Sequence, residues 1–498
     1  MKYVVLLLCF AFCLMSCSEW LDVRPETEQK DYDQFSTVDG FFDALVGTYM
    51  EMANTNAYGQ RLTITNIESL ANLWNMPSNA LLSERLDDWY LAAHDYTADG
   101  ARNAIAAMYD QLFHVIANAN LVIKYADEQG DVFTDTTMRN VVQGEAYAIR
   151  AYCQLDVLRL FGQLPQHATR QVELPYSFTT SIYEMPAYYG FVDYVKLLKE
   201  DLAQAERLLR GSDPLFEYPF SELTGANRDI ADNHLLYRQF RLNYWAVRAL
   251  QARTLLYVGE TEEAYRVAKE IINAKGPDGN PVRGMTGAKD IADGYRLCPN
   301  ECLFALSKHD VMTATIDFLI GGRPDGRFFM KSDLGISMTR LGLLFAGEKL
   351  DSHNRYQDWW VRNVRDGYGY PNYAVIKKYW WDDQTENVML NCQLVPMLRM
   401  SEVYLVGMET SSDLAEVNAW YKEYMMQHAV GAAVDFASLK DARTWVRTEY
   451  CREFLTEGQS FYTYKRTGAT AMVGVDKEIS EQNYILPLPE TEYNPNNL

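Results

Sequence analysis

Two adjacent acid pairs, Asp87-Asp88 and Asp382-Asp383, are the first residues of this 498-residue chain whose type and spacing invite a chemical reading. Hydrolysis of a glycosidic bond uses two carboxylates about 5–5.5 Å apart for retention, or about 6.5–9.5 Å apart for inversion. Neighbouring acids on a loop usually face water, and 67 acidic residues produce such pairs by composition alone. The seven histidines (His94, His114, His167, His234, His309, His353 and His428) are scattered, with no H-E-x-x-H spacing. Neither a G-x-S-x-G elbow nor a Walker loop occurs. The sequence has no EF-hand pattern either, so no cofactor is expected, with structural calcium on acidic loops left open. The chain therefore reads as a non-enzyme, a secreted helical glycoside hydrolase being the weaker alternative.

Cysteine supplies a second kind of chemistry. Lys2 precedes an apolar run over 4–14, the length of a signal-peptide core and too short to cross a bilayer. Leu14-Met15-Ser16-Cys17 then resembles the bacterial lipobox. That motif predicts removal of residues 1–16 and lipidation of Cys17, and each buried acyl CH2 would add about 0.8 kcal/mol of membrane affinity. No later run approaches the ~18 apolar residues of a membrane span, so a tethered body without a transmembrane helix is expected. Of eight cysteines, Cys153, Cys298, Cys302, Cys392 and Cys451 remain beyond the signal and anchor. An odd, scattered set is no disulfide framework, and buried thiols are expected, although Cys298 and Cys302 are close enough to pair.

The elements that must position any site are helical. Hydrophobic residues make up 48% and charged residues 23% of the chain, with 10 Trp, 34 Tyr and 21 Phe, which excludes an intrinsically disordered protein. A net charge of −21 argues against nucleic acid and against a basic lipid-binding patch. Apolar spacing predicts helices over 41–52, 102–125, 137–161 and 189–209. Gly162 is a candidate C-cap for the third, with Pro165 beyond it. A helical hairpin is predicted over 243–273, turning at Gly259, and another pair over 396–408 and 414–426. Small residues Ala252, Gly259, Ala264 and Ala268 fit tetratricopeptide spacing loosely. Segments 54–97, 165–186, 213–231 and 277–379 are rich in Gly, Pro, Asn and Asp, and read as functional insertions.

Several blocks, in order along nearly the whole chain, resemble the SusD/RagB family of outer-membrane nutrient-binding lipoproteins of Bacteroidetes. They are Cys17-Ser18-Glu19-Trp20-Leu21-Asp22, then Gly144-Glu145-Ala146 through Arg150-Ala151 to Phe161-Gly162-Gln163-Leu164-Pro165, and Arg399-Met400-Ser401-Glu402-Val403-Tyr404-Leu405. Arg452-Glu453, Glu457-Gly458-Gln459, Lys465-Arg466 and the closing Leu486-Pro487-Leu488-Pro489 with Asn494-Pro495 complete the match. Met408 and Thr410 depart from it. The resemblance implies a mostly α fold: a SusD-like helical scaffold with tetratricopeptide-like helix pairs and a variable loop-rich subdomain. The implied organisation is a signal peptide over 1–16, a tether over 17–40 and a body over 41–498. Its helical core lies mainly in 100–275 and 395–460, and its variable segments in 54–97 and 277–390. It also implies a lipid-anchored, surface-facing location in the outer membrane. The implied partner is a SusC-like TonB-dependent transporter, and the implied ligand is a glycan or oligosaccharide, with peptide as the alternative.

A sugar offers C–H groups on its flat faces to Trp and Tyr rings, and hydroxyls to Asn, Asp and Arg. The irregular segments place such residues together in Trp74-Asn75 with Arg85, Asp88, Trp89 and Tyr90 nearby. A second set is the tandem pairs Trp359-Trp360 and Trp380-Trp381, from which Trp360 and Trp381 are taken as candidates. A tandem pair on a strand turns one ring inward, so at least one ring of each pair is expected in the core. Glu145, Arg150, Arg399, Glu402, Arg452, Glu453 and Glu457 of the matched blocks are read as structural charges that pair between helices.

Overall fold

The computed structural model describes residues 26–76, 83, 85–169, 173–181, 184–227, 229–230, 232–318, 321–322, 328–329, 334–365, 371–380 and 392–493. These residues are mostly helical. Cys17 and Trp381 lie outside them.

The scaffold is a succession of helices, each packed on its neighbour: Val38–Met52, Asp99–Glu128, Thr136–Phe161, Phe191–Leu209, Tyr244–Val258, Thr261–Asn273 and Met400–Thr410. Leu414–Gln427 and Leu439–Glu453 then pack on Met400–Thr410. Polar side chains start several of them. Asp135 accepts from the Thr137 N–H, Asn243 from Ala246 N–H, Asp413 from Ala415 N–H and Ser438 from Asp441 N–H, which satisfies donors that the first turn leaves unpaired. Close approach explains Gly144: a Cβ there would stand 2.8 Å from Leu209 Cγ, so only glycine lets the two helices meet.

The Thr136–Phe161 helix ends at Gly162, as the sequence predicts, but by another mechanism. Gly162 has φ −75°, not the left-handed conformation of a usual glycine C-cap. Instead, the buried Lys465 ammonium donates to the Leu160 and Gly162 carbonyls at 3.3 and 2.7 Å. A cation at a helix C-terminus is favourably placed against the dipole. Burial pushes the Lys465 ammonium well below its ordinary pKa.

A second difference concerns residues 396–399. The sequence extends a helix back to Pro396, whereas Leu394–Arg399 is a strand, antiparallel to Cys302–Ser307 and fully buried. A continuous apolar run does not by itself separate a buried strand from a buried helix, and the partner strand decides it here. Among the described residues, five short strands form the other larger sheet, in the order Gly321–Gly322, Phe328–Phe329, Trp360–Arg365, Pro371–Ile376, Ile336–Ser337.

One extended hydrophobic core runs through the helices, the two-stranded ribbon and the inner face of this sheet. Within it lies a charged hub. Arg399, 1% exposed, meets Glu453 at 2.9 Å and Glu457 at 2.8 Å and also pairs with Glu301. Arg355 and His428 reach Glu453, Lys378 reaches Glu457, and Arg452 pairs with Glu449. Burial works against the charged form of Glu453, yet Arg355 and Arg399 hold its carboxyl well below the usual range. Elsewhere Arg150 grips Asp201, Arg238 bridges Glu145 and Asp213, and Arg253 grips Glu402. Of the charges in the matched blocks, Arg150 and Glu402 cross-link helices as read from the sequence, whereas Arg399 stands on a strand and Arg452 pairs with Glu449 of its own helix. Such buried pairs fix the packing geometry more than they add net stability. Among the described residues, all five cysteines are buried and unpaired, including Cys298 and Cys302.

Candidate functional site

The segment over 54–97, read as a loop-rich insertion, is organised by a five-residue helix. Every residue of Asn66–Leu70 is buried, and its groups hold the neighbouring elements. Asn66 Nδ2 and Ser69 Oγ both donate to Asp88 Oδ1 at 2.8 Å. Leu70 O faces His94 Nε2 at 2.9 Å. Glu68 Oε1 accepts from the backbone N–H groups of Thr456 and Gly458 at 2.9 and 3.1 Å. Gly458 has φ +75°, and a Cβ there would meet Leu62 O at 2.1 Å, so no other residue fits this turn. Through Glu68, the insertion is hydrogen-bonded to the turn that carries Glu457 of the charged hub.

Helix Leu86–Ala93 is anchored on that platform by its acids. Asp88 is fully buried and also accepts from Arg85 Nε. Burial raises its pKa, and Arg85 works against the rise. Burial would raise Asp87 too, but Arg85 and the Asn66 amide bring it below the ordinary carboxylate value, and Arg61 Nη1 stands 3.0 Å from it. The same helix presents Trp89 and Tyr90, both half-buried, with ring centroids 5.2 Å apart and planes at 89°. A perpendicular aromatic pair on a fixed helix is a preorganised surface for the C–H face of a ligand.

A cleft of about 990 Å³ lies along the first turns of the Asp99–Glu128 helix. Tyr96, Ile105 and Phe161 line its apolar side, and Arg102, Asn103 and Asp110 its polar side. Residues 485–491 form its other wall. The Leu486 N–H donates to Leu160 O at 3.1 Å, and Tyr109 and Tyr188 donate to Glu492. Tyr90 packs on this same helix, its Cδ2 standing 3.4 Å from where a Gly100 Cβ would be. The aromatic pair and the cleft therefore share one supporting element.

The candidate residues divide. Arg85, Trp89 and Tyr90 come together at the surface. Asn75 is half-buried, and its N–H donates to Gly335 O at 2.7 Å. Three expectations need correction. Trp74 is 1% exposed, with its Nε1–H donating to Ile64 O at 3.0 Å, so the ring is core. Asp88 contacts no solvent and acts as the anchor of the aromatic helix. Trp360 is 4% exposed and Trp359 is fully buried. The alternation argument does not apply to this pair, because Trp359 caps the Asn354–Asp358 helix and only Trp360 belongs to the strand.

Among the described residues, two buried groups have metal-ligating atoms within 4.8 Å of one another: Cys298, Glu301 and Glu453, and His428, Glu449 and Glu453. Their carboxylates already face Arg355, Arg399 and Arg452. Guanidinium groups compensate the charge there, and the donor set does not fit a hard cation such as calcium, which needs 6–8 oxygen ligands. No described helix is long and apolar enough to cross a membrane.

No protein-family model matches the sequence. A 166-residue stretch, 33% of this chain, is 25% identical to the SusD-like protein P2 of Formosa agariphila and spans 30% of that relative's length. The fold is similar to a SusD superfamily protein of Bacteroides thetaiotaomicron, with a TM-score of 0.68 and 17% identity over 93% of this chain and 98% of that one. It is also similar to surface glycan-binding protein A of Bacteroides uniformis, with a TM-score of 0.66 and 14% identity over 93% and 98% of the two chains. In fold this chain is similar to SusD superfamily proteins, and a third of its sequence is similar to a SusD-like protein.

Proposed function

We propose that this protein binds glycans without altering them. In this reading it captures oligosaccharides at the cell surface, held to the outer membrane by acyl chains on Cys17, and hands them to a SusC-like TonB-dependent transporter. The described part of the segment over 17–40, expected as a tether, is folded onto the body, with Glu26–Gln34 a helix and Gly40 buried. Phe35 already packs into the core against Tyr125, with ring centroids 4.6 Å apart. The observation that carries the non-catalytic reading is the fate of the Asp87-Asp88 pair. Asp88 is sealed from solvent, and both acids are engaged by Arg, Asn or Ser groups that fix a helix. Beside Leu86 and the Arg-paired Asp87, that helix leaves the Trp89 and Tyr90 rings half-exposed. This suits recognition of a sugar face and supplies neither a free acid nor a poised base. Similarity in fold to a surface glycan-binding protein supports the ligand class.

The test is a panel of soluble polysaccharides. Calorimetry or affinity electrophoresis should show binding to one polymer class, with no reducing ends released on prolonged incubation. Release of sugars by the purified protein overturns the reading. Cys17→Ala should move the protein from the membrane to the soluble fraction, and a native pull-down should recover a β-barrel partner.

A further inference from the structure

The geometry points to a second saccharide-binding surface, centred on Phe178 and separate from the Trp89–Tyr90 helix. It rests on the glycan reading for its ligand class alone. A groove of about 600 Å³ runs between the C-terminal part of the Asp99–Glu128 helix, the Thr136–Phe161 helix and the Phe191–Leu209 helix. Phe178 forms one wall and is 46% exposed, a large apolar ring left in water. It is not there through slack in the chain. Asn120 Nδ2 donates to the carbonyls on either side of it, Ser177 O at 3.1 Å and Thr179 O at 3.0 Å. Asn120 Oδ1 in turn accepts from Arg150 Nη1 at 2.9 Å. The Arg150 guanidinium is clamped by two bonds to Asp201, 2.7 and 2.6 Å long. It stands 4.7 Å from the centroid of Phe178 and 5.1 Å from that of Tyr147. Tyr176 OH donates to the same Asp201. A buried Arg–Asp–Asn cluster thus fixes the backbone that carries Phe178 and sets one guanidinium against both rings, the arrangement expected of a preorganised recognition surface.

The rim states the ligand class. Lys124, Thr180 and Gln204 offer hydrogen-bond donors, and Glu128 and Glu200 offer acceptors, around the rings. A purely apolar ligand would leave these groups unpaired, and an anion would meet two carboxylates against one ammonium. A neutral pyranose uses both features, with its C–H face on Phe178 and its hydroxyls on the rim. Two separated surfaces on one body engage a polymer chain more tightly than either alone, by raising the effective concentration at the second.

The experiment uses the full mature protein and the polysaccharide that the wild type retains most strongly among laminarin, xylan, galactomannan and starch. Phe178→Leu, which keeps volume but removes the aromatic face, and Phe178→Ala are each expected to weaken binding about tenfold. Phe178→Tyr should bind like the wild type. Combining Phe178→Leu with Trp89→Ala should weaken binding further than either change. Near-wild-type affinity in Phe178→Leu and Phe178→Ala overturns the second surface while leaving the glycan reading intact. A wild type that binds no polymer of the panel removes the glycan reading and this inference together.

Discussion

Glu68 joins the aromatic platform to the charged hub, and its protonation controls how strongly. Its side chain is fully buried, with Oε1 receiving the Thr456 and Gly458 N–H groups and Oε2 without a partner among the described residues. Burial raises its pKa from 4.5 to about 8, with the two N–H groups and Lys378 opposing the rise. At neutral pH the folded protein therefore keeps a proton there that the unfolded chain releases. A pKa raised on folding stabilises fully below the unfolded value of 4.5, and that stability is lost as pH rises through the folded value of about 8. Over the whole window the two values correspond to about 5 kcal/mol, of which about 4 kcal/mol falls between pH 5 and pH 9. Glu68→Gln keeps the acceptor oxygen and cannot ionise. Urea unfolding of both proteins at pH 5, 7 and 9 should show the variant gaining on the wild type by about 4 kcal/mol from the lowest to the highest pH, because titrations elsewhere cancel in the comparison. A difference between the two proteins that does not change with pH refutes the reasoning, since it would mean that Glu68 titrates alike in the folded and unfolded chains.

Other substitutions separate surface from core. Trp89→Ala should weaken polysaccharide binding about tenfold in affinity electrophoresis with little change in melting temperature, because the ring is only half-buried. Trp74→Phe should leave binding unchanged and cost about 1–3 kcal/mol in urea unfolding, through the lost bond to Ile64 O and the space left in a sealed core. Arg399→Leu removes the cation shared by Glu301, Glu453 and Glu457, and should destabilise by about 3–5 kcal/mol in chemical denaturation, since it strands buried carboxylates.

Much of the scaffold is legible in the sequence, because helix formation leaves a periodic record. The 3.6-residue spacing of apolar positions over 137–161 and 243–273 marks helices within a few residues of Thr136–Phe161, Tyr244–Val258 and Thr261–Asn273. The role of Arg150 and Glu402 as helix cross-links was legible too, from the rarity of unpaired charges in cores. Burial of individual aromatics was not. Trp74 and Trp89 both lie in the same Asn-rich insertion, and nothing local distinguishes them. Only the placement of the Asn66–Leu70 helix puts Ile64 O within reach of the Trp74 indole and Ser69 within reach of Asp88. The cleft beside residues 485–491 and the wall at Phe178 are assembled from groups tens to hundreds of positions apart. Local periodicity reports which face of a segment is apolar. Which groups meet across segments depends on long-range packing, so the chain determines its helices by itself, and tertiary structure alone decides which rings face water.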